Sequence, residues 1–213
     1  MSQRAYAVEF RGQPMRSVSE AKLAFFLTEL NLRYIYEPQG YGAGPVNYLP
    51  DFWLPDQDVL FEVKGAEPPA EAWLKAGLVA LGLERVGRLC PILFVVGNTW
   101  LAEGMEVVLA GSTVFPGTPR RVAVTRRGVD FRLRVPGKGY MTVLRRKSYW
   151  SICRRCLSPG LTVEGSRTRV CFGCKSTGPG LRIHPLLHDA FLHAQAAQFL
   201  PARPPERRGH GAE

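Results

Sequence analysis

Residues 47–65 read NYLPDFWLPDQDVLFEVKG and determine how the first half of this 213-residue chain must fold. Two apolar segments, 48–54 and 59–65, flank the short loop Pro-Asp-Gln-Asp at 55–58. A loop of this length and composition joins antiparallel strands, so the stretch predicts a β-hairpin. The hairpin would bring the beginning of the first strand next to the end of the second.

The second strand of this hairpin carries charge on one face. Side chains alternate between the two faces of a strand, so Glu62 and Lys64 share one face. Phe61 and Val63 share the other face, where they can pack on a core. The hairpin would carry Asp51 towards Glu62 and Lys64. Two carboxylates and a lysine that converge at a strand end form a site for a hard divalent cation and an activated water.

Each of these residues taken alone has a simpler interpretation. An Asp after a Pro is usually a turn residue, and Glu-x-Lys on a strand is usually a solvated ion pair. The surroundings favour a functional site, because unpaired charge within an apolar hairpin is costly. The apolar residues around the charges are Tyr48, Leu49, Phe52, Trp53, Leu54, Val59, Leu60, Phe61 and Val63.

Pro50-Asp51 followed by Glu62-Val63-Lys64 resembles the signature of the PD-(D/E)XK nuclease superfamily, which has the restriction-endonuclease-like fold. The resemblance implies an α/β core in which helices flank a mixed sheet. Its order is a helix with an acidic residue, a strand with Asp, a strand with E-x-K, a helix and a further strand. Residues 19–65 also resemble phage and actinobacterial members of this superfamily whose role is unknown. Hydrophobic patterns predict the matching elements, namely helices over 17–32 and 71–83 and a buried strand over 91–96.

The resemblance implies a role for each matching residue. Asp51 and Glu62 would hold Mg²⁺ or Mn²⁺ together with the backbone carbonyl of Val63. Lys64 would orient or deprotonate the attacking water, and Glu20 would be the outer acidic residue of the catalytic site. The implied activity is that of a Mg²⁺-dependent deoxyribonuclease, which hydrolyses DNA phosphodiester bonds. Oxygen ligands of this kind select Mg²⁺ or Mn²⁺ over zinc.

Glu20 has an alternative role. Ser17-x-x-Glu20 is a capping-box pattern, in which the glutamate bonds the backbone of the first helical turn. The family order favours the metal site for Glu20, whereas the local sequence favours the cap. Glu37 and Lys75 are further candidates near the site, although a surface position suits both better.

Charge divides the chain into two unlike halves. Residues 1–100 hold 9 Lys and Arg against 11 Asp and Glu, whereas residues 101–213 hold 19 against 7. The basic excess is concentrated in 120–182, which has 16 basic and 2 acidic residues. Such a block suits a phosphate backbone, and a solubilising surface is the alternative. Its aromatic residues would stack on exposed bases; they are Tyr140, Tyr149, Trp150 and Phe172.

Two pairs of cysteines form a second motif. Cys153-x2-Cys156 and Cys171-x2-Cys174, with 14 residues between the pairs, match a zinc ribbon with four cysteine ligands in a tetrahedron. Disulfides are the alternative, but a reducing compartment and close pairs favour a metal. Four cysteine ligands leave no open position for a catalytic water, so the zinc would be structural. Basic residues predicted to contact nucleic acid are Arg145, Arg146, Lys147, Arg154, Arg155, Arg167, Arg169 and Lys175.

These patterns together divide the chain into five segments. The segments are a nuclease core over 1–115, a basic β extension over 116–148, a zinc ribbon over 149–180, a C-terminal helix over 181–200 and a disordered tail over 201–213. Within the extension, alternation predicts strands at 120–125, 129–135 and 140–146, with turns at 127–128 and 136–139.

The chain has no run that approaches 18 apolar residues, and its beginning, MSQRAYAVEF, lacks the hydrophobic stretch of a signal peptide. We therefore expect a cytoplasmic protein without membrane contact, in the host cytosol if a phage encodes it. DNA is the expected partner, and a homodimer or a larger nucleoprotein complex is a further expectation. Cys90 is expected to be a core thiol. His184, which precedes Pro185, is expected to begin a helix rather than to pair with His188 on a metal.

The leading functional hypothesis is a nuclease whose basic half, with the zinc ribbon, binds DNA. The alternative is a non-catalytic DNA-binding or assembly protein that uses a nuclease-like domain as a scaffold. Asp51, Glu62 and Lys64 occur together, which argues against a decayed catalytic site.

Overall fold

The computed structural model describes residues 7–43, 46–88, 90–98, 105–110, 129–135, 139–153, 155–163, 169–174, 177–178, 180–181 and 184–202. These residues form a mixed α/β fold. Its elements are β1 (Val8–Phe10), β2 (Gln13–Met15), α1 (Val18–Glu29), β3 (Ile35–Tyr36), β4 (Tyr41–Ala43), β5 (Val46–Tyr48), β6 (Phe52–Leu54), β7 (Val59–Lys64), α2 (Ala70–Arg85), β8 (Ile92–Val96), β9 (Met105–Ala110), β10 (Val129–Val135), β11 (Gly139–Cys153), β12 (Pro159–Val163), β13 (Arg169–Cys171), β14 (Thr177–Gly178), β15 (Gly180–Leu181), α3 (Pro185–Ala196) and β16 (Leu200–Pro201).

Helix α1 begins where the sequence supplies a cap. Ser17 is the N-cap, and its hydroxyl accepts a hydrogen bond from the backbone N–H of Glu20 at 3.2 Å. The helix ends before Asn31, whose left-handed φ of 53° interrupts the helical backbone. The predicted helix over 17–32 is therefore confirmed, with an earlier C-terminus than the apolar pattern suggests.

The predicted hairpin is formed by β6 and β7, but its first strand is shorter than the predicted 48–54, because Tyr48 belongs to β5, which pairs with β4 in a separate sheet. Phe52 lies opposite Phe61 and Leu54 opposite Val59, in antiparallel register. Strand β3 pairs with the other edge of β6. After β7, α2 crosses over the sheet and returns the chain as β8, which lies parallel to β7 with Leu60 opposite Ile92. A parallel neighbour requires a long crossover of this kind, which α2 supplies.

Strand β11 connects the two halves of the chain within one sheet. The described residues form an 11-stranded sheet that contains β14, β13, β12, β11, β9, β8, β7, β6 and β3 in this order, with β10 and β15 also paired to β11. The first part of β11 pairs with β9 and β10, and its second part pairs with β12 and β15. The boundary predicted at residue 148 therefore falls inside a single strand.

Apolar side chains cover both faces of β7. Phe61 and Val63 belong to a core that also contains Phe26 of α1. Leu60, on the opposite face, belongs to a second core with Trp73 of α2. Glu62 shares the face of Leu60 and is buried. Of the two charged residues predicted for this face, Glu62 is thus buried, where an unpaired charge has a larger energetic cost than in water, and Lys64 is partly exposed.

Trp150 lies at the centre of the first core. It is 1% exposed, and its ring meets Phe26 at 5.3 Å and Phe61 at 6.1 Å between centroids. Phe172, between two of the cysteines, meets the same ring at 6.0 Å. The expectation that Trp150 and Phe172 stack on bases is therefore wrong, because both rings are buried in the protein.

The C-terminal part of the chain returns to the N-terminal part. Helix α3 packs against α1, where the Lys22 ammonium donates to Gln195 Oε1 at 2.8 Å. Strand β16 then pairs with β1, and the Ala202 N–H donates to the carbonyl of Ala7 at 3.0 Å. Residues 201–202 of the predicted tail are thus paired, while 203–213 lie outside the described residues. Among the described residues, no helix has the length and hydrophobicity that a membrane span requires.

The predicted β extension is described only in part. Residues 129–135 form β10 as predicted, and 140–146 lie within β11. The predicted strand at 120–125, the turn at 127–128 and residues 136–138 of the second turn lie outside the described residues.

Candidate functional site

Asp51 is held at the bend before β6 by contacts with β7. Its backbone N–H donates to the carbonyl of Phe61 at 3.0 Å, and its Oδ2 accepts from the backbone N–H of Val63 at 2.7 Å. Its Oδ1 accepts from the guanidinium of Arg16. Asp51 is only 3% exposed, so its carboxylate is fixed beside the end of β7.

Glu62 and Lys64 lie side by side at that end, as the alternation of the strand predicts. The Lys64 ammonium donates to Glu62 Oε1. Glu62 is 7% exposed, and its Oε2 is buried with no hydrogen-bond partner among the described residues. A buried carboxylate oxygen without a partner is destabilising, so Glu62 Oε2 could accept from the nearby Tyr48 hydroxyl or bind a cation.

The protonation of Asp51 reflects this crowding of carboxylates. Burial, followed by the negative charge of Glu62, raises the pKa of Asp51 to about 7. The Glu20 carboxylate raises this pKa further, whereas the Val63 N–H and the Lys64 ammonium lower it. The pKa stays raised although Asp51 also contacts Arg16. The raised pKa therefore reflects the burial of Asp51 first and the neighbouring carboxylates second.

Burial also raises the pKa of Tyr48, and the charge of Glu62 raises it further. The buried Tyr48 hydroxyl therefore stays protonated next to the carboxylates. It can donate a hydrogen bond towards this site but cannot add a charge to it.

The backbone carbonyl of Val63 points towards Asp51. The N–H and C=O of one residue lie on the same side of a strand, and those of its neighbours lie on the other side. The Lys64 carbonyl accepts from Gly97 at 2.8 Å and so faces β8. The Val63 N–H binds Asp51, so the Val63 carbonyl faces the Asp51 side. A third oxygen ligand beside Asp51 and Glu62 would have to come from this side of the strand.

Glu20 makes the contacts of a cap and lies near the cluster. Its Oε1 accepts from the Ser17 hydroxyl at 3.0 Å, and its Oε2 accepts from the backbone N–H of Arg16 at 3.1 Å. The Tyr36 hydroxyl donates to the same Oε2 at 2.5 Å. The capping box is thus realised in part: the Ser17 hydroxyl caps the Glu20 N–H, while the Glu20 carboxylate bonds the N–H of Arg16, which precedes the cap. The outer acidic role stays a prediction, supported by the effect of Glu20 on the pKa of Asp51.

Arg16 and Tyr36 also contact the site, although neither is among the residues predicted from the sequence. Arg16 Nε donates to Glu37 Oε1 at 2.8 Å, so its guanidinium bridges Glu37 and Asp51. Glu37 is therefore paired beside the site. A usable signal was the position of Arg16 directly before the helix cap, which fixes its backbone next to Glu20. No local pattern places Tyr36 there, because it reaches Glu20 from a different strand.

The donor set at Asp51 and Glu62 fits a hard divalent cation. It offers two carboxylates and a backbone carbonyl, and one carboxylate oxygen is buried without a partner among the described residues. Within that part of the chain, the cysteines are the only group of three or more His, Cys, Asp or Glu side chains whose ligand atoms lie together. A cation at the two carboxylates would need water for its other ligands, which is the kind of coordination that Mg²⁺ usually has.

The four cysteines form a cluster that could hold a metal ion. The Sγ atoms of Cys153, Cys156, Cys171 and Cys174 all lie within 4.8 Å of one another. Cys153 and Cys174 are 3.9 Å apart, and Cys156 and Cys171 are 3.4 Å apart. A tetrahedral Zn–S bond of about 2.3 Å places sulfur atoms about 3.8 Å apart. A disulfide requires about 2.0 Å, so the cluster has the spacing of a metal site with four cysteine ligands.

Local backbone geometry builds the two cysteine turns. The Leu157 N–H donates to the carbonyl of Cys153 at 2.9 Å, and Leu157 has a left-handed φ of 57°. In the second turn, a Cβ on Gly173 would lie 2.7 Å from the Cβ of Ser158. Only glycine allows this approach of the two turns. Hydrogen bonding by Ser158 lowers the pKa of Cys156 to about 5, which favours the thiolate that binds metal.

Five of the basic residues predicted to contact DNA are described, and they lie in β11, in β13 or in the first cysteine turn. Lys147 is half-buried in β11, and Arg155 is exposed in the first cysteine turn. For Arg145, Arg146 and Arg169 the structure gives the strand position alone. The remaining predicted residues, Arg154, Arg167 and Lys175, lie outside the described residues.

The other candidates lie apart from the carboxylate cluster. Lys75 is paired with Glu71 at 2.6 Å on the exposed side of α2. His184 is the N-cap of α3, where its side chain accepts from the backbone N–H of Leu186, as the following Pro185 predicts. Cys90 is buried, as expected of a core thiol.

Comparisons with protein-family models, with curated proteins and with solved structures find no match for this chain. The fold and the two clusters are therefore the observations on which a function can be proposed. Of these, the four cysteines could hold a metal ion, and Asp51 and Glu62 are buried carboxylates beside Lys64.

Proposed function

We propose that this protein is a metal-dependent nuclease that hydrolyses DNA phosphodiester bonds, with a restriction-endonuclease-like core of the PD-(D/E)XK type. Asp51 and Glu62 hold Mg²⁺ or Mn²⁺ together with the Val63 carbonyl. Lys64 orients or deprotonates the attacking water. The four cysteines hold a structural zinc, and the basic half of the chain binds DNA.

The order and direction of the elements support this core. Helix α1 carries Glu20, Asp51 precedes β6, and β7 carries Glu62 and Lys64. Helix α2 and the parallel strand β8 follow. This order of elements in a mixed sheet is the one that the sequence resemblance implies.

The observation that carries the proposal is the pair of buried carboxylates beside Lys64. Asp51 lies at the bend before β6 and Glu62 lies in β7, and burial together with the charge of Glu62 raises the pKa of Asp51. A buried carboxylate whose pKa is raised in this way destabilises a fold, and such groups concentrate at functional sites. Glu62 Oε2 has no partner among the described residues, which leaves it available to a cation.

The residues of the cluster have separate tasks in the proposed reaction. A bound Mg²⁺ lowers the pKa of its water and neutralises the scissile phosphate. Val63 N–H holds the Asp51 carboxylate in one orientation, and Glu20 keeps the start of α1 in place beside it. Lys64, partly exposed and paired with Glu62, lies where it can bind the attacking water.

The testing experiment is a cleavage assay on linear, nicked, four-way-junction and single-stranded DNA with Mg²⁺ or Mn²⁺. Asp51→Ala, Glu62→Ala and Lys64→Ala should each abolish cleavage and leave DNA binding largely intact. Asp56→Ala and Lys75→Ala are matched controls, since both residues form exposed ion pairs away from the cluster. Wild-type cleavage rates in Asp51→Ala and Glu62→Ala would refute the nuclease proposal.

A second candidate is a non-catalytic DNA-binding or assembly protein on a nuclease-like scaffold. The ion pair between Arg16 and Asp51 favours it, because the chain itself then supplies a cation to the carboxylate. On this alternative no DNA in the panel is cleaved at any metal concentration, while binding to DNA persists. The same assay therefore separates the two candidates.

A further inference from the structure

Arg16 occupies the one replaceable contact of Asp51. The Oδ2 atom of Asp51 accepts from the Val63 N–H at 2.7 Å, and this donor belongs to the fixed backbone of β7. The Oδ1 atom accepts from the Arg16 guanidinium, whose side chain is 55% exposed. Because this side chain reaches Asp51 from solvent, Oδ1 is the oxygen that another cation could take over, and that cation must replace the charge that the guanidinium supplies.

The backbone of Arg16 is fixed, and its guanidinium has a second partner besides Asp51. The Arg16 N–H donates to Glu20 Oε2 at 3.1 Å and contacts the Tyr36 hydroxyl at 3.1 Å. Arg16 Nε donates to Glu37 Oε1 at 2.8 Å. A guanidinium that leaves Asp51 therefore remains tethered to Glu37 beside the site.

The backbone of Glu37 is fixed next to Asp51. Its backbone N–H donates to the carbonyl of Asp51 at 2.8 Å, and its φ of 44° lies in the left-handed region, which is uncommon for a glutamate. Strained backbone of this kind is retained where the surroundings require it. Glu37 and Asp51 thus present two carboxylates at a fixed separation, which the Arg16 guanidinium spans.

We propose that Arg16 is a built-in counter-cation of Asp51, which a divalent metal must displace from Oδ1, so that Arg16 sets the metal affinity of the site. This inference rests on the metal site of the proposed function. Without metal, Arg16 supplies a positive charge to a carboxylate that is buried beside Glu62. With metal, the released guanidinium stays on Glu37, at the edge of the site, where it can pair with a DNA phosphate.

The test is a calorimetric titration of the full-length, zinc-loaded protein with Mn²⁺, which measures the affinity for Mn²⁺. Arg16→Gln should tighten Mn²⁺ binding by about tenfold, because the metal no longer replaces a hydrogen bond between charged groups. Arg16→Lys retains the charge but cannot span Glu37 and Asp51, so it should also bind Mn²⁺ more tightly than the wild type. Arg33→Gln is the matched control, since Arg33 forms an exposed ion pair with Asp56 and should leave the affinity unchanged.

A second measurement follows the guanidinium itself. In protein with ¹⁵N-labelled arginine, the Arg16 Nη signals should show restricted rotation that Mg²⁺ releases, whereas the Arg33 signals should not respond. Circular dichroism of each variant verifies that the fold is retained.

The outcomes separate this inference from the proposed function. If Mn²⁺ binds the wild type, is lost in Asp51→Asn and binds Arg16→Gln with unchanged affinity, the inference is overturned and the metal site stands. If Arg16→Lys binds like the wild type while Arg16→Gln binds more tightly, charge alone acts and displacement is refuted. If neither the wild type nor Arg16→Gln binds Mn²⁺, both the inference and the proposed function fail.

Discussion

Trp150 stacks on Phe61, with an interplanar angle of 7° and 6.1 Å between the ring centroids. Phe61 precedes Glu62 in β7, and Trp150 lies in the strand that ends at Cys153. Phe172, from the second cysteine turn, packs edge-on against the same Trp150 ring at 86°. The cysteine cluster and the carboxylate cluster are therefore attached to one core, and the stability of each depends on the other.

Replacing Trp150 should destabilise the whole protein. Trp150→Ala should lower the free energy of unfolding by about 3–5 kcal/mol, because it leaves a cavity between α1, β7 and the cysteine turns. Urea denaturation followed by circular dichroism measures the change. Val86→Ala, at a site that is 77% exposed, is the control and should change the free energy by at most about 0.5 kcal/mol.

We also expect the protein to unfold in a single transition. A shared core predicts that tryptophan fluorescence and circular dichroism report the same transition. Two separate transitions, of which only one moves in Trp150→Ala, would contradict a shared core and restore the independent zinc ribbon that the sequence predicts.

Local signals in the sequence predicted the elements that build the carboxylate site. Strand alternation placed Glu62 beside Lys64, and the loop length brought Asp51 to them. The capping box at Ser17 predicted the beginning of α1. These features depend on residues close together in the chain, and short-range physical rules describe them well.

Long-range packing produced the features that the sequence did not indicate. The basic composition around Trp150 and Phe172 suggested a nucleic-acid surface, yet β11 carries Trp150 into the first core. No periodicity in the sequence encodes the pairing of β9 with β11, which joins the two halves of the sheet. Arg16 was missed for the same reason, because its contacts with Asp51 and Glu37 bridge separate loops.

The cysteine cluster predicts a zinc content and a matched pair of variants. The purified wild type should hold about one zinc per chain by elemental analysis. Cys171→Ser should lose this zinc and lower the melting temperature of the whole chain, because Phe172 next to it packs on Trp150. Cys90→Ala removes a buried thiol outside the cluster and should retain the zinc. A folded, reduced wild type without zinc would refute the cluster as a zinc site.

The raised pKa of Asp51 predicts a dependence of stability on pH. The pKa of Asp51 is about 7 in the folded chain and near its ordinary value in the unfolded chain. Between these values the folded state binds the extra proton, so stability falls as the pH rises from about 4 to 7 and stays low above it. Without added Mg²⁺, the melting temperature should therefore be lower at pH 8 than at pH 5 through this group.

Two variants and added Mg²⁺ test whether Asp51 causes this dependence of stability on pH. Asp51→Asn should weaken the fall in stability towards pH 8, whereas Asp56→Asn, at an exposed ion pair, should leave it as in the wild type. Mg²⁺ should raise the melting temperature more at pH 8 than at pH 5, because it binds the ionised carboxylates. Equal pH profiles for the wild type and Asp51→Asn would show that Asp51 titrates normally.

DNA binding is best tested in the full-length chain. A chain that ends near residue 115 would lose β11, and with it Trp150 and the strand that pairs with β9. Weak DNA binding by such a fragment would then reflect a broken core as readily as a lost basic surface. Charge substitutions that leave the strands in place avoid this ambiguity.

If the basic block binds DNA, the logarithm of the affinity for duplex should fall linearly with the logarithm of salt concentration, by about 0.9 per neutralised phosphate. Replacing Arg145, Arg146 and Lys147 together by Gln should flatten this slope by up to about 2.7, with similar losses on unrelated sequences, since phosphate contacts carry no sequence information. The matched control replaces three basic residues outside the block by Gln and removes the same net charge; they are Arg33, Lys75 and Arg85. Fluorescence anisotropy at several salt concentrations measures both slopes. Equal slopes for the two triple variants would assign the effect to net charge, and β11 would then not be the surface that holds DNA.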